Sequence, residues 1–159
     1  YEQKHAIQNN FEIGGYYIDD KKYKEMIDFA IKPNDLLISC SGTMGKIAIV
    51  PENIKEGIIN QALLKLTSRK DKILVIFLKI ILESENIQQT YFRNTAGAAI
   101  QNVTSVKELK RIKIPLPPLN IQKQIVAQIE EEQQLIEANK KLIGIFEAKI
   151  KAKIAEVWG

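Results

Sequence analysis

The sequence predicts an α+β fold: a mixed domain of β-hairpins and packed helices over residues 1–119, followed by a long C-terminal coiled-coil helix over residues 120–159. Short β-branched runs bounded by turn residues indicate strands, and an apolar pattern at helical spacing indicates a helix that packs on them. The prolines within 114–119 remove backbone donors, so neither a helix nor a central strand can continue through them. They divide the chain into two parts.

Five strands are predicted from β-branched or aromatic runs that lie between turn signals. They cover residues 16–18, 36–40, 46–50, 58–66 and 112–114. The second and third are separated by a five-residue loop, Ser41–Gly45, and therefore predict a hairpin.

Three helices are predicted before the prolines. Asp19 or Asp20 is expected to cap the first, which carries Met26. Apolar residues recur at helical spacing over 73–91, so this second helix should pack on the sheet. The third is short, occupies 105–110 and opens with a capping box.

After the prolines, Asn120 is expected to be the N-cap of a single helix that runs to the end of the chain. Isoleucine or valine recurs at every seventh residue from 129 to 157, a period typical of helices that supercoil around a partner. The alternative is that the helix packs on its own domain. The predicted pairing face comprises Ile125, Ile129, Leu135, Ile136, Leu142, Ile143, Phe146, Ile150 and Val157.

The positive charge lies in the first part, where 17 Lys/Arg face 13 Asp/Glu, whereas residues 120–159 hold six of each. This excess suggests an anionic partner such as DNA, although a soluble basic surface would explain it equally well. His5 is the only histidine, and no carboxylate or cysteine cluster has the spacing of metal ligands. We therefore expect a non-catalytic chain that binds no cofactor and no metal.

The longest apolar stretch, 73–82, contains Lys79 and is too short to cross a bilayer, and no basic-then-apolar leader opens the chain. Cys40, the single cysteine, fits a buried thiol in a reducing compartment. We expect a cytoplasmic protein without a membrane partner. Because the sequence starts at Tyr1 and its first elements look incomplete, we expect a piece of a longer protein.

The segment from Ser41 to Lys46 has the glycines and lysine that suggest a phosphate-binding P-loop. That motif also needs a glycine at position 40 and a serine or threonine at 47, where Cys40 and Ile47 stand. The match fails, and the predicted hairpin argues against it as well.

Several predicted loops carry side chains that suit nucleic acid. Lysine and arginine neutralise phosphate or bind guanine, and asparagine and glutamine present the donor and acceptor pair that matches adenine. For Asn60 and Gln61, hydrogen bonding at a strand end is an equally good interpretation. The candidate DNA-binding residues are Thr43, Lys46, Asn60, Gln61, Arg93, Asn94, Thr95, Gln101 and Asn102.

The sequence resembles the specificity subunits of type I restriction-modification enzymes. The segments that carry this resemblance are 33–39 with the Gly42–Lys46 turn, Asn60-Gln61, and above all Lys110-Arg-Ile-Lys-Ile-Pro-Leu-Pro-Pro-Leu119 running into the long helix. In that family a target-recognition domain ends in a similar proline-rich stretch and a conserved spacer helix follows. The resemblance implies one such unit here, with domain 1–119 lacking its N-terminal part.

The resemblance also implies partners. The domain would read one half of a bipartite double-stranded DNA site, and separate modification subunits would methylate adenine with S-adenosylmethionine. ATP and Mg²⁺ would belong to a restriction subunit that the chain meets only indirectly. The long helix would pair with a second specificity unit or with another copy of this chain.

Two other functions fit the sequence. In the first alternative, the chain is the C-terminal specificity region of a fused methyltransferase or restriction polypeptide. In the second it is a coiled-coil interaction module with no DNA role.

Overall fold

The computed structural model describes residues 1–93 and 109–158. The chain forms two compact units, Tyr1–Leu119 and Asn120–Gly159. The first is an α+β unit built around one small sheet, and the second is a single long helix, as the sequence predicts.

Three antiparallel strands form the sheet in the order β2-β1-β3, with β1 at Asp35–Ser39, β2 at Ile47–Ile49 and β3 at Leu63–Thr67. Every residue of the central strand β1 is buried, because neighbouring elements cover both of its faces. The register pairs Ile38 with Ile47 in β2 and Leu64 in β3. The predicted hairpin of β1 and β2 is therefore confirmed.

Two apolar clusters cover the two faces of the sheet, since successive side chains of a strand point to opposite sides. Leu37 contributes to a cluster with Ala6 and Val50, whereas Leu36 and Ile38 contribute to the other. The second cluster also contains the helical residues Leu82, Ile87 and Phe92.

Five α-helices lie wholly within the described residues: α1 at Gln3–Gln8, α2 at Asp20–Glu25, α3 at Val75–Glu83, α4 at Glu85–Ile87 and α5 at Leu119–Trp158. A 3₁₀ turn, Ile27–Phe29, follows α2, and a π-helical segment, Gln88–Arg93, follows α4. Asp19 caps α2 as predicted, because its side chain accepts a 2.7 Å hydrogen bond from the Lys22 amide. The short helix α1 was not predicted.

Two predicted strands are wrong. Residues 16–18 form no strand, and Tyr16 and Tyr17 are each 88% exposed. Residues 112–114 are likewise not part of the sheet. A β-branched run predicts extended backbone, whereas a strand also needs a neighbour with which to share hydrogen bonds.

Other predicted boundaries shift. The strand predicted over 58–66 starts only at Leu63, and Ile58 forms an isolated bridge with Ala30. The helix predicted over 73–91 is broken at Ser84, whose backbone is extended. It nevertheless packs on the sheet as predicted, because the apolar spacing keeps residues on both sides of the break on one face. The helix predicted over 105–110 lies almost entirely outside the described residues.

The long helix α5 spans 40 residues, or about 60 Å at roughly 1.5 Å per residue. It begins at Leu119, so Asn120 lies inside its first turn and is not the N-cap. From Glu130 to Trp158 every residue is exposed.

Candidate nucleic-acid interface

The hairpin turn, residues 41–45, is fixed by hydrogen bonds to one buried side chain. Ser39 is fully buried at the end of β1, and its hydroxyl donates to the Thr43 carbonyl at 2.6 Å. The same oxygen accepts from the Lys46 amide at 3.0 Å. Thr43 and Lys46 are exposed, so the turn has a fixed backbone and outward side chains.

Two glycines allow the turn to close. Gly42 and Gly45 have φ of +58° and +75°, the left-handed region that side chains rarely adopt. Gly45 is also crowded, since a Cβ there would lie 2.6 Å from Gln88 Oε1 and 2.9 Å from Phe92 Cβ. The strand that follows confirms that this segment is a hairpin and not a phosphate loop that leads into a helix.

A second turn lies just before β3. The Asn60 side-chain oxygen accepts from the Ala62 amide at 3.1 Å, a local bond that shapes the turn. Asn60 is partly buried and Gln61 is exposed. The Asn60 side chain therefore makes the strand-end hydrogen bond that was one of its two interpretations, and Gln61 remains available to a ligand.

The two turns lie at the same end of the sheet. Ser39, the last residue of β1, pairs with Leu63 at the start of β3, and the Cys40 amide donates to the Ala62 carbonyl at 2.8 Å. β2 also starts at this end, because it runs antiparallel to β1. The structure therefore brings together four candidate DNA-binding residues: Thr43, Lys46, Asn60 and Gln61. We call this surface the turn end.

The other five candidates fall outside the side chains that the structure describes. Asn94, Thr95, Gln101 and Asn102 lie outside the described residues, as does the side chain of Arg93. The sequence assignments for these residues stay predictions.

Cys40 lies between the two turns. It is partly exposed, not buried as expected. Desolvation nevertheless raises the pKa of its thiol to about 11, and the Sγ–H donates to the Ile38 carbonyl at 3.3 Å. A thiol of this kind is protonated at neutral pH and is a poor nucleophile.

Two residues that hold the turn end were missed by sequence reasoning. Ser39 carries a weak signal, a hydroxyl that follows the apolar run Leu36–Ile38 just before a glycine-rich turn. Gln88 carries none, because its bond to the Gly45 carbonyl joins residues 43 positions apart.

The predicted pairing face of α5 is exposed along most of its length. Exposure of its last seven members runs from 50% at Leu142 to 75% at Val157, while Ile125 and Ile129 are partly buried. Isolated apolar surface residues are normal, but a continuous apolar stripe marks an interaction site.

The described residues contain no helix long and apolar enough to span a bilayer. Across 1–93 and 109–158, no group of three His, Cys, Asp or Glu side chains is placed to hold a metal ion.

Comparison with known proteins decides the family. Residues 4–145 match the model of the type I restriction modification DNA specificity domain. The chain belongs to this family. The resemblance carried by the hairpin turn and the proline-rich stretch is thereby confirmed.

Two curated relatives of this specificity domain are named as type I restriction enzyme specificity subunits. The sequence is 30% identical over 112 residues to the type I restriction enzyme EcoBI specificity subunit of Escherichia coli, covering 70% of this chain and 23% of the relative. It is 29% identical over 135 residues to the putative type I restriction enzyme MjaX specificity subunit of Methanocaldococcus jannaschii, covering 85% and 30%. The chain thus spans about a quarter to a third of the length of these relatives.

Solved structures show the same fold. One comes from work on the structural basis of complex assembly and conformational transition of the type I R-M system. It matches with a TM-score of 0.60 and 26% identity, covering 77% of this chain and 28% of that chain. The HsdS subunit from Thermoanaerobacter tengcongensis matches with a TM-score of 0.62 and 20% identity, covering 71% and 29%. The second likeness, at this identity, concerns the fold alone.

Proposed function

We propose that this specificity domain reads one half of a bipartite DNA target through its turn end. The observation that carries the proposal is the convergence of Thr43, Lys46 and Gln61 at one end of the sheet, in a chain that belongs to a DNA specificity family. Exposed side chains on a rigid backbone suit base contact, because discrimination requires donors and acceptors at fixed positions. Lys46 would neutralise phosphate.

The helix α5 supplies the second half of the proposed function. A 40-residue helix with an apolar stripe exposed from Leu135 onward is suited to pair with a like helix and to set the distance between two reading domains. The partner would be a second specificity unit or another copy of this chain. The polar faces of α5, which include the exposed Lys123, Glu130 and Glu131, would dock modification subunits.

The chain itself would be non-catalytic and would carry no cofactor. Adenine methylation with S-adenosylmethionine would be performed by modification subunits, and ATP- and Mg²⁺-dependent cleavage by a restriction subunit that meets this chain only indirectly. A fused polypeptide that carries methyltransferase or nuclease domains would use the same turn end for DNA.

The test is to assemble the complete specificity subunit with its modification subunits and to map methylated adenines in the host genome by sequencing. We expect one bipartite sequence to be methylated. Lys46→Ala should weaken DNA binding on all sequences and lower the slope of log K against log salt by about 1. Lys32→Ala is the matched control, because Lys32 is exposed near the opposite end of β1.

Three outcomes would contradict the proposal. The first is an assembly that binds DNA with only non-specific, strongly salt-sensitive affinity. The second is an equal effect of the Lys46 and Lys32 substitutions, which would remove the turn end as the contact surface. The third is assembly and association through α5 with no DNA binding, which would favour an interaction module without a DNA role.

A further inference from the structure

The buried side chain of Gln88 joins the hairpin turn to the helical layer. Gln88 is only 7% exposed, and its Nε2 donates to the Gly45 carbonyl at 3.0 Å and to the Leu82 carbonyl at 2.9 Å. An amide nitrogen has two hydrogens, so both donors are used. We call this pair of hydrogen bonds the Gln88 bridge.

The two carbonyls belong to different elements, the hairpin turn and α3. The Leu82 carbonyl lies in the last turn of α3, where helix carbonyls lack intrahelical partners. The Gly45 carbonyl lies at the end of the hairpin turn. The Gln88 bridge therefore satisfies two backbone acceptors and sets the distance between the turn and the end of α3.

Gly45 is shaped to accept this bridge. A Cβ on Gly45 would lie 2.6 Å from Gln88 Oε1, closer than real contacts allow, and 2.9 Å from the Cβ of the fully buried Phe92. At Gly42, which shares the positive φ, a Cβ would meet only Gln3 Nε2 at 3.8 Å. The close approach to neighbouring atoms thus occurs at Gly45, whose carbonyl accepts from Gln88, and not at Gly42.

The turn is therefore fixed from two sides. Ser39 holds the Thr43 carbonyl and the Lys46 amide from within the hairpin, and Gln88 holds Gly45 from the helical layer. Without the Gln88 bridge, the hairpin could still form, but its turn could tilt relative to α3. Base discrimination is lost when contact groups move by about 0.5 Å, so such a tilt matters for specificity more than for folding.

We infer that Gln88 is a positioning residue for DNA recognition, one that contacts no DNA but sets the place of Thr43 and Lys46. This inference rests on the proposed function of the turn end. It requires that loss of the Gln88 bridge lowers discrimination between DNA sequences in protein that is still folded.

The test uses the complete specificity subunit assembled with its modification subunits. One probe is a duplex that carries the sequence methylated by the wild-type assembly, and the other is a duplex of the same composition with that sequence shuffled. Gln88→Met keeps the length of the side chain and removes both donors. Gln89→Met is the matched control, because Gln89 is exposed and its Nε2 donates to the exposed Glu85 carboxylate at 2.7 Å.

We expect Gln88→Met to lower the ratio of target to shuffled affinity about tenfold at one salt concentration, and Gln89→Met to leave it unchanged. Hydrogen exchange of residues 41–46 should rise in the Gln88 variant while that of residues 36–38 stays as in wild type. If Gln88→Met folds and keeps the wild-type ratio of target to shuffled affinity, the inference is overturned and the proposed function is unaffected.

Gly45→Ala carries the test if Gln88→Met does not fold, since its Cβ displaces the Gln88 amide without removing it. We expect the same loss of discrimination, and Gly42→Ala measures how much stability the positive φ costs by itself. An unchanged ratio in Gly45→Ala would overturn the inference. Failure of the wild-type assembly to prefer its own methylated sequence would instead overturn the proposed function, and the inference would fall with it.

Discussion

Replacement of Ile143 by serine tests whether the stripe on α5 is a pairing face. Ile143 lies at the centre of the sevenfold repeat and is 57% exposed. Serine and isoleucine have similar helix propensities, so α5 should remain helical. Ile145→Ser is the matched control, because Ile145 is 50% exposed and lies about 200° further round the helix.

The expected magnitude follows from the exposed area. Complete burial of an isoleucine side chain contributes about 1.5–3 kcal/mol, so burial of the exposed half contributes about 1–1.5 kcal/mol. A symmetric pair uses the residue twice. Ile143→Ser should therefore weaken pairing by about 2–3 kcal/mol, roughly 30- to 150-fold in Kd.

The assay is sedimentation equilibrium of the 159-residue chain over a concentration series, with circular dichroism to follow the helix. We expect wild type and Ile145→Ser to associate with the same Kd, and Ile143→Ser to shift toward monomer. Equal effects of the two substitutions would refute the assignment of the face. So would a wild-type chain that stays monomeric at high concentration while α5 remains helical.

Three further predictions concern single residues. Asp35→Ala should lower the free energy of unfolding, measured by urea denaturation, by about 2–4 kcal/mol. The reason is that this buried carboxylate accepts from the Lys32 amide at 2.8 Å and from the Thr67 hydroxyl at 2.6 Å. A loss under about 0.5 kcal/mol would contradict this prediction. Gly144→Ala should stabilise the helix α5 by about 1 kcal/mol, because alanine favours a helix interior over glycine and a Cβ there meets open space. A loss of helical ellipticity on heating earlier than in wild type would disprove this. Burial raises the pKa of the Cys40 thiol from 9.0 to about 11, so the contribution of this thiol to stability is complete below pH 9 and is lost as the pH rises to 11. Alkylation of Cys40 in the folded protein should accelerate over that same pH window. Fast alkylation at pH 8 would contradict the raised pKa.

Local chemistry explains which elements the sequence predicts well. The hairpin was predictable because Pro33 and Asn34 open it, and the glycines at 42 and 45 close its turn. The cap at Asp19 was predictable because it depends on a residue only three positions away. The repeat of isoleucine in α5 reports its face and its length without knowledge of the rest of the fold.

Errors arise where an element depends on a distant partner. Residues 16–18 have strand propensity, but no backbone within 1–93 and 109–158 pairs with them. The break at Ser84 is invisible in the apolar spacing, because Ile87 and Phe92 reach the same cluster as Leu82 despite the interruption. Asn60 could bind DNA or shape a turn on sequence grounds, and only the folded structure shows its bond to the Ala62 amide.

The sequence by itself determined that an α+β domain precedes a long helix, that the proline-rich stretch separates them, and that the chain resembles a DNA specificity family. It could do so because turns, caps and apolar periods act over a few residues. Only the tertiary structure decided that Thr43, Lys46 and Gln61 share one end of the sheet and that Gln88 holds the turn in place. These relations join residues tens of positions apart, and local propensity carries no information about which distant carbonyl a buried amide will meet.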